Sequence, residues 1–177
     1  KQAYYEGTSK TALEDWPVFS ETIANPDPGE LQLGYPTGIP TLDDALFGLK
    51  GLTVIGGDRG DGKSALCLAC CVNAMQAAPQ VGVLYYTFQL PKTDLYTRLF
   101  CYQSGLTYRQ LRNSEKTAEE IQTLSHADVF LQEHVLPRLR VVECLSAEDT
   151  ADASIDFSRD CSDLMANARV SDVLVVI

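Results

Sequence analysis

The stretch GGDRGDGKSA, residues 56–65, has the residue types and the spacing of a loop that binds phosphate. Gly57 and Gly62 are separated by four residues, and Lys63 and Ser64 follow directly, which is the P-loop or Walker A pattern. The glycines allow successive backbone N–H groups to point at phosphate oxygens, and a helix beginning at Lys63 adds its dipole. We therefore predict that the loop binds the phosphates of a nucleotide.

The residues of this loop have different expected tasks. Lys63 should reach the β- and γ-phosphates, and the Ser64 hydroxyl should be a ligand of Mg²⁺. The intervening residues contribute mainly backbone, so we expect the side chains of Asp58 and Asp61 to point to solvent, with Arg59 and Lys63 balancing their charge. The predicted nucleotide-binding residues are Gly57, Asp58, Arg59, Gly60, Asp61, Gly62, Lys63, Ser64 and Ala65.

The elements around the loop indicate how it is held. The runs LTVIGG, VGVLYYTF, LRVVECL and DVLVVI are rich in β-branched and apolar residues and predict four strands. Predicted helices separate them: one follows Lys63, one covers residues 92–105, two begin at capping boxes, and one covers residues 150–168. The boxes pair Thr107 with Gln110 and Thr117 with Glu120. Alternating strands and helices predict an α/β fold with a mainly parallel sheet flanked by helices. A glycine-rich turn without a ligand is disfavoured by this strand–loop–helix setting.

The first 35 residues differ from the rest. They contain Pro17, Pro26, Pro28 and Gly29 without a sustained hydrophobic period, so we interpret residues 1–35 as a linker or arm and residues 36–177 as the nucleotide-binding domain. TALEDW predicts a short helix whose tryptophan could dock on the body or on a neighbour. The lead-in TGIPTLDDALFGLKG predicts another helix, with Thr41 as its N-cap and with inward-facing Leu42, Ala45 and Leu46.

Composition limits the partners. A net charge of −10 with 14 basic residues argues against tight binding to DNA by this chain alone, although a local basic strip or a channel formed by several copies stays open. No apolar run approaches the roughly 20 residues of a membrane span, and no signal peptide is recognisable. We interpret the six cysteines as core residues of a reducing, cytoplasmic compartment, and His126 and His134 as structural.

Four segments together resemble a known family: TGIPTLDDALFGLKG, LTVIGGDRGDGKS, VGVLYYTFQLP and LYTRLFCYQSGLTYRQLR. They are similar to the RecA-like ATPase core of DnaB-type replicative helicases, from about Thr37 to Ile177. The first two are also similar to RadA- and KaiC-type members of the same superfamily. The resemblance implies an ATPase of DNA replication that uses ATP and Mg²⁺. It also implies a hexameric ring, with nucleotide between subunits and single-stranded DNA through the centre.

One departure from the family lies after the second predicted strand. The family has a glutamate there that activates the attacking water, and TFQLP places Gln89 at that position. An amide cannot accept a proton as a general base does, although glutamine can position water in small GTPases. Hydrolysis by Gln89, a Glu→Gln trap, a degenerate site, and a base located elsewhere all stay open.

The other departure concerns the end of the chain. DVLVVI resembles the strand that precedes the Walker B aspartate, and the family's DNA-binding loops and arginine finger lie later, so we expect a RecA-like core truncated at this strand. The leading hypothesis is an ATPase that couples ATP to DNA translocation or unwinding in a ring. The alternatives are a hydrolysis-deficient nucleotide-binding loader, regulator or scaffold, and a RadA- or KaiC-like regulatory ATPase.

Overall fold

A three-stranded parallel sheet forms the centre of the described structure. The computed structural model describes residues 11–25, 34–144 and 156–177. Within them β1 (Val81–Thr87) lies between β2 (Leu139–Glu143) and β3 (Asp172–Val176). The second, third and fourth predicted strands are therefore confirmed, as is the α/β fold with a parallel sheet flanked by helices.

Seven α-helices lie in the described part of the chain, and none of them is long and apolar enough to cross a bilayer. A π-helical turn (Leu131–Val135) and a 3₁₀ turn (Leu136–Arg138) connect the sixth helix to β2. The helices are α1 (Ala12–Ala24), α2 (Pro40–Leu46), α3 (Lys63–Ala77), α4 (Lys92–Ser104), α5 (Tyr108–Arg112), α6 (Ala118–Phe130) and α7 (Phe157–Ala168).

The helix ends follow the local sequence signals. Both predicted capping boxes form: the Thr107 N–H donates to Gln110 Oε1 at 2.9 Å, and the Thr117 N–H donates to Glu120 Oε2 at 2.9 Å. Gly105 ends α4 with a φ of +71°, a left-handed conformation that costs glycine little. The predicted helix over residues 150–168 is described from residue 156 onward, and its first six positions lie outside the described residues.

The core explains why β1 is a continuous apolar run. All seven residues of β1 are buried, because helices cover both faces of the sheet. Val83 and Tyr85 belong to the larger cluster, with α3 and α4, and Tyr86 belongs to the cluster on the other face, with Leu164 of α7. Successive side chains of a strand point to opposite faces, so one strand supplies both clusters.

The first predicted strand is wrong. Residues 52–58 lie outside any helix or strand, and the Leu52 and Val54 side chains are 92% and 82% exposed. A strand needs a neighbour for its backbone N–H and C=O groups. Within the described residues a cleft of about 840 Å³ separates this segment from β3, so the β-branched run has no partner.

The lead-in is organised by one carboxylate. Asp43 Oδ1 accepts hydrogen bonds from the Thr37 N–H and hydroxyl, both at 2.7 Å, and its Oδ2 accepts from the Gly38 N–H at 3.1 Å. The predicted cap is wrong: α2 begins at Pro40 with Ile39 as its N-cap, since Asp43 rather than Thr41 satisfies this turn. The inward face is also wrong in part: Leu42 is half-buried, but Ala45 and Leu46 are exposed.

Two consecutive side-chain hydrogen bonds connect the lead-in to α3 and α4. Asn73 Nδ2 of α3 donates to the Thr37 carbonyl at 2.7 Å, and the Tyr102 hydroxyl of α4 donates to Asn73 Oδ1 at 3.0 Å. Gly38 has a φ of +80°, and a Cβ there would lie 2.0 Å from Asn73 Nδ2. This close approach explains the glycine of the TGIP turn. Tyr102 is partly exposed and donates this bond.

The Asp43 carboxyl makes the stability of the lead-in depend on pH. The hydrogen bond from the Thr37 N–H lowers the pKa of Asp43 below its ordinary value. A lowered folded-state pKa gives stabilisation that is complete above the unfolded pKa of about 3.9 and is lost as pH falls through the folded value. We expect the difference in unfolding free energy between the parent and Asp43→Asn to shrink below about pH 4, as measured by urea unfolding.

Asp44→Asn is the matched control, because the Asp44 carboxylate makes no hydrogen bond or ion pair within the described residues. A difference for Asp43→Asn that stays constant from pH 6 to pH 2, or one that Asp44→Asn reproduces, would contradict this role of Asp43.

Helix α1 lies within the predicted arm and is longer than expected. Its first turn is capped by Glu14, whose Oε2 accepts from the Thr11 N–H at 2.7 Å. Trp16 packs against Phe19, with ring centroids 5.5 Å apart, and remains 61% exposed. The helix therefore presents apolar side chains at its surface.

Candidate nucleotide-binding site

The loop of residues 57–62 is closed by the lysine that follows it. Lys63 Nζ donates to the Gly57 carbonyl at 2.8 Å and to the Asp58 carbonyl at 2.6 Å. An ammonium group has three N–H donors, so one remains for a ligand. The lysine therefore folds over the loop and holds a positive charge at its mouth.

Two glycines of the loop are required by backbone conformation. Gly60 has a φ of +99° and Gly62 a φ of +87°, both in the left-handed region. A Cβ at either position would meet no atom within 4 Å, so the backbone angle rather than crowding favours glycine there. Gly62 is also the N-cap of α3, so its conformation sets the direction in which the helix leaves the loop.

Several backbone N–H groups of the loop are open. Within the described residues no hydrogen bond engages the N–H groups of Gly60 and Gly62 or those of the first turn of α3, residues 63–65. The first N–H groups of a helix have no intrahelical acceptor, and the helix dipole adds partial positive charge. Together with the Lys63 ammonium, this donor set fits the oxygens of a polyphosphate.

One of the two aspartates of the loop departs from the expectation. Asp61 Oδ2 accepts a hydrogen bond from the Asp58 N–H at 2.7 Å, so the Asp61 side chain turns back onto the loop. The expectation that it points to solvent is wrong, because the turn over residues 58–61 brings this N–H within its reach. In this geometry the Asp58 N–H is already used, whereas the N–H groups of Gly60, Gly62 and residues 63–65 are open.

The carboxyl end of β1 lies beside the loop. Helix α3 has 15 residues and β1 has seven, so each spans about 20 Å, and the short connection between them makes them antiparallel. Burial raises the pKa of Tyr85 to about 12, next to Cys67 and Cys71, and the nearby Ser64 side chain opposes the rise. Ser64 and the end of β1 are therefore neighbours, which the sequence did not indicate.

Gln89 lies in the turn that follows β1, at this same edge of the sheet. The Thr87 hydroxyl donates to the Leu90 carbonyl at 2.7 Å and accepts from the Leu90 N–H at 3.2 Å, which fixes the turn. The Gln89 side chain is exposed and makes no hydrogen bond within the described residues. It is free to orient toward a ligand on the loop side.

A carboxylate that sequence reasoning missed lies at the end of β2. Glu143 is paired with Thr87 in the sheet register, and its Oε2 accepts from the Lys92 N–H at 2.7 Å. The bond caps the N-terminus of α4. Glu143 therefore has a structural task, and its signal was a single acidic residue at the end of a predicted strand.

The cysteines and histidines of the described residues form no metal-binding cluster. All six cysteines are free thiols, and Cys70, Cys71 and Cys144 are buried. Burial raises the pKa of the Cys71 thiol, so the thiolate is disfavoured. His134 packs on Phe130, with ring centroids 4.9 Å apart. The described residues contain no group of three or more His, Cys, Asp or Glu arranged to hold a metal ion.

Comparison with known families places the loop, β1 and β2 within one family domain. The family model for the DnaB-like helicase C-terminal domain matches residues 34–144, from just before the lead-in to the residue after β2. The chain belongs to this family. This DnaB-like domain has the RecA-like fold and is a helicase-family ATPase domain, as its resemblance implied. No curated protein matches the chain.

Proposed function

We propose that this DnaB-like domain binds ATP with Mg²⁺ at residues 57–65 and couples its binding and hydrolysis to movement along DNA in an oligomeric ring. The observation that carries the proposal is the closed loop, in which Lys63 Nζ bridges two carbonyls beside five open N–H groups. The family match supplies the nucleotide class. In this proposal residues 36–177 form the nucleotide-binding domain and residues 1–35 an arm.

Within this proposal each group of the loop has a task. The open N–H groups of Gly60, Gly62 and residues 63–65, together with the Lys63 ammonium, hold the phosphate oxygens. The Ser64 hydroxyl, at the first turn of α3, would be a ligand of Mg²⁺, which would neutralise phosphate charge when bound.

The ring is the part of the proposal that brings in DNA. With a net charge of −10, one copy has no general attraction for DNA phosphates, whereas a central channel can gather the basic residues of several copies. The test is ATP hydrolysis by the chain with and without single-stranded DNA, together with its mass in solution. DNA-stimulated hydrolysis by an oligomer supports the proposal, and a monomer whose turnover ignores DNA contradicts it.

A second function is favoured by Gln89. An exposed amide at the family's glutamate position cannot take a proton from water, and the neighbouring Glu143 is engaged by the Lys92 N–H. On this proposal the domain binds ATP tightly and turns it over slowly, as a loader, regulator or scaffold. A RadA- or KaiC-like regulatory role is a variant of this second function.

The substitution Gln89→Glu separates the two functions. If the amide replaces a missing base, a carboxylate there should raise kcat for ATP about 100-fold and leave KM nearly unchanged, because general-base catalysis contributes roughly 10²–10⁴-fold. The measurement is steady-state ATP hydrolysis by the parent and the variant. Gln122→Glu is the control, because it makes the same change on the exposed surface of α6. If kcat does not rise, position 89 is not the place of the missing general base.

A further inference from the structure

The Gly57–Asp58 peptide group is held from both sides by opposite charges. Its N–H donates to Asp61 Oδ2 at 2.7 Å, and its carbonyl accepts from Lys63 Nζ at 2.8 Å. A carboxylate thus contacts the positive end of one peptide dipole, and an ammonium contacts its negative end. Each bond is charge-assisted and so stronger than a hydrogen bond between neutral groups.

The two bonds together set the plane of this peptide group. The carbonyl that holds Lys63 and the N–H that contacts Asp61 belong to one rigid unit, since the peptide bond is planar. If the N–H loses its acceptor, the unit can rotate and the carbonyl turns away from the ammonium. The position of Lys63 Nζ therefore depends on Asp61, although the two side chains are not in contact through any hydrogen bond.

The backbone around Asp61 is shaped for this contact. The Asp61 N–H donates to the Asp58 carbonyl at 3.3 Å, which closes a turn with Gly60 at a φ of +99°. A Cβ at Gly57 would lie 3.0 Å from Asp61 Oδ2, a tighter contact than nine in ten that real Cβ atoms make. Glycine at position 57 therefore leaves space for the carboxylate. Turn, glycine and carboxylate belong to one arrangement.

The other aspartate of the loop offers a comparison. The Asp58 carboxylate makes no hydrogen bond or ion pair within the described residues. It carries the same charge as Asp61 and lies three residues away. The two aspartates therefore differ in hydrogen bonding, whereas each places one negative charge near a bound polyphosphate.

We propose that Asp61 is a positioning residue of the phosphate loop, whose carboxylate orients the Gly57–Asp58 peptide group and through it the Lys63 ammonium. This inference rests on the proposed binding of ATP. The negative charge of Asp61 also repels phosphate, but between exposed groups in water this repulsion changes affinity only a few-fold. Loss of a charge-assisted hydrogen bond changes it about tenfold.

Three substitutions separate positioning from charge. Asp61→Asn removes the charge and keeps an oxygen acceptor, Asp61→Ala removes both, and Asp58→Asn removes an equivalent charge alone. We expect Asp61→Asn and Asp58→Asn to bind a fluorescent ATP analogue with Mg²⁺ with Kd values within about threefold of each other. Asp61→Ala should bind at least about fivefold more weakly than Asp61→Asn. Equal affinities of the alanine and asparagine variants would overturn the proposal.

A second measurement needs no nucleotide. Hydrogen exchange of the Asp58 amide should be slowed in the parent and in Asp61→Asn, and should become at least about tenfold faster in Asp61→Ala, while amides of the β1 core keep their rates. If the Asp58 amide exchanges at the same rate in all three proteins, Asp61 does not hold the peptide group. If the parent binds no nucleotide but the three proteins show this exchange pattern, the proposed function is contradicted. The role of Asp61 in holding the peptide group is then still supported.

Discussion

Replacing Lys63 by alanine is expected to weaken the binding of Mg²⁺-ATP about 100-fold. The substitution removes the positive charge at the mouth of the loop and both bonds that close it, at 2.8 Å to the Gly57 carbonyl and 2.6 Å to the Asp58 carbonyl. Two carbonyl oxygens are then left without a partner where phosphate oxygens must approach. The loss of charge-assisted hydrogen bonds of about 1.5–3 kcal/mol each makes a factor of 100 a moderate expectation.

The measurement is a titration with a fluorescent ATP analogue in the presence of Mg²⁺. Lys50→Ala is the matched control, because it removes the same charge from an exposed position outside the loop. Retained thermal stability of Lys63→Ala would show that the fold survives. If both variants bind as the parent does, the loop is not the nucleotide site.

Replacing Arg138 by alanine is expected to lower the free energy of unfolding by about 3 kcal/mol. Within the part of the chain that the structure describes, the Arg138 guanidinium donates to five backbone carbonyls and to no carboxylate. Nη1 contacts those of Ala78, Pro79 and Val81, each at 3.1 Å, and Nη2 contacts those of Met75 at 2.9 Å and His134 at 2.7 Å. It joins the end of α3, the entry to β1 and the π-helical turn.

The physical reason for this large effect is that removal of the guanidinium leaves several partly buried carbonyls without a donor. Unpaired buried polar groups cost more than a made hydrogen bond gains. The positive charge also lies at the C-terminus of α3, where the helix dipole favours it. Partial burial lowers the pKa of Arg138, yet an arginine stays protonated at any ordinary pH.

Arg140, two residues further along, is the control for Arg138. It forms ion pairs with Asp160 at 3.2 Å and with Asp163 at 3.9 Å, and its side chain is 41% exposed. Exposed ion pairs contribute about 0–1 kcal/mol, so Arg140→Ala should cost far less than Arg138→Ala. Urea unfolding of the two variants decides the comparison. Equal losses would mean that the five carbonyl contacts do not stabilise the fold.

The elements that the sequence predicted correctly are those whose signals are local. Strand β1 is a continuous apolar run because both of its faces are buried, and the helix at Lys63 follows a glycine that can adopt a positive φ. The capping boxes at Thr107 and Thr117 need only residues three positions apart. Signals of this kind require no knowledge of the rest of the chain.

The parts that sequence reasoning missed depend on partners distant along the chain. LTVIGG has the composition of a strand, yet a strand also needs a neighbouring strand, and none adjoins it in the described residues. Arg138 reaches the Met75 carbonyl 63 positions away, and Asn73 reaches the Thr37 carbonyl 36 positions away. Composition shows an arginine or an asparagine there but not what it contacts.

In the candidate site, too, some features could be predicted from the sequence and others could not. The spacing of Gly57, Gly62, Lys63 and Ser64 predicts a phosphate loop, and the structure closes it in a geometry that suits phosphate. The bond between the Asp58 N–H and Asp61 depends on the backbone angles of the turn, which the letters DRGD do not specify. The role of Gln89 stays a prediction, because its exposed turn allows more than one orientation.

The most direct test of the nucleotide site is a titration of the isotope-labelled chain with Mg²⁺-ATP, followed by the amide signals of the loop in NMR spectra. We expect large shifts for the open N–H groups of Gly60, Gly62, Lys63, Ser64 and Ala65. The Asp58 amide, which already donates to Asp61, should shift least within the loop. Saturating Mg²⁺-ATP that leaves the amides of residues 60–65 unmoved would contradict the assignment of this loop as the nucleotide site.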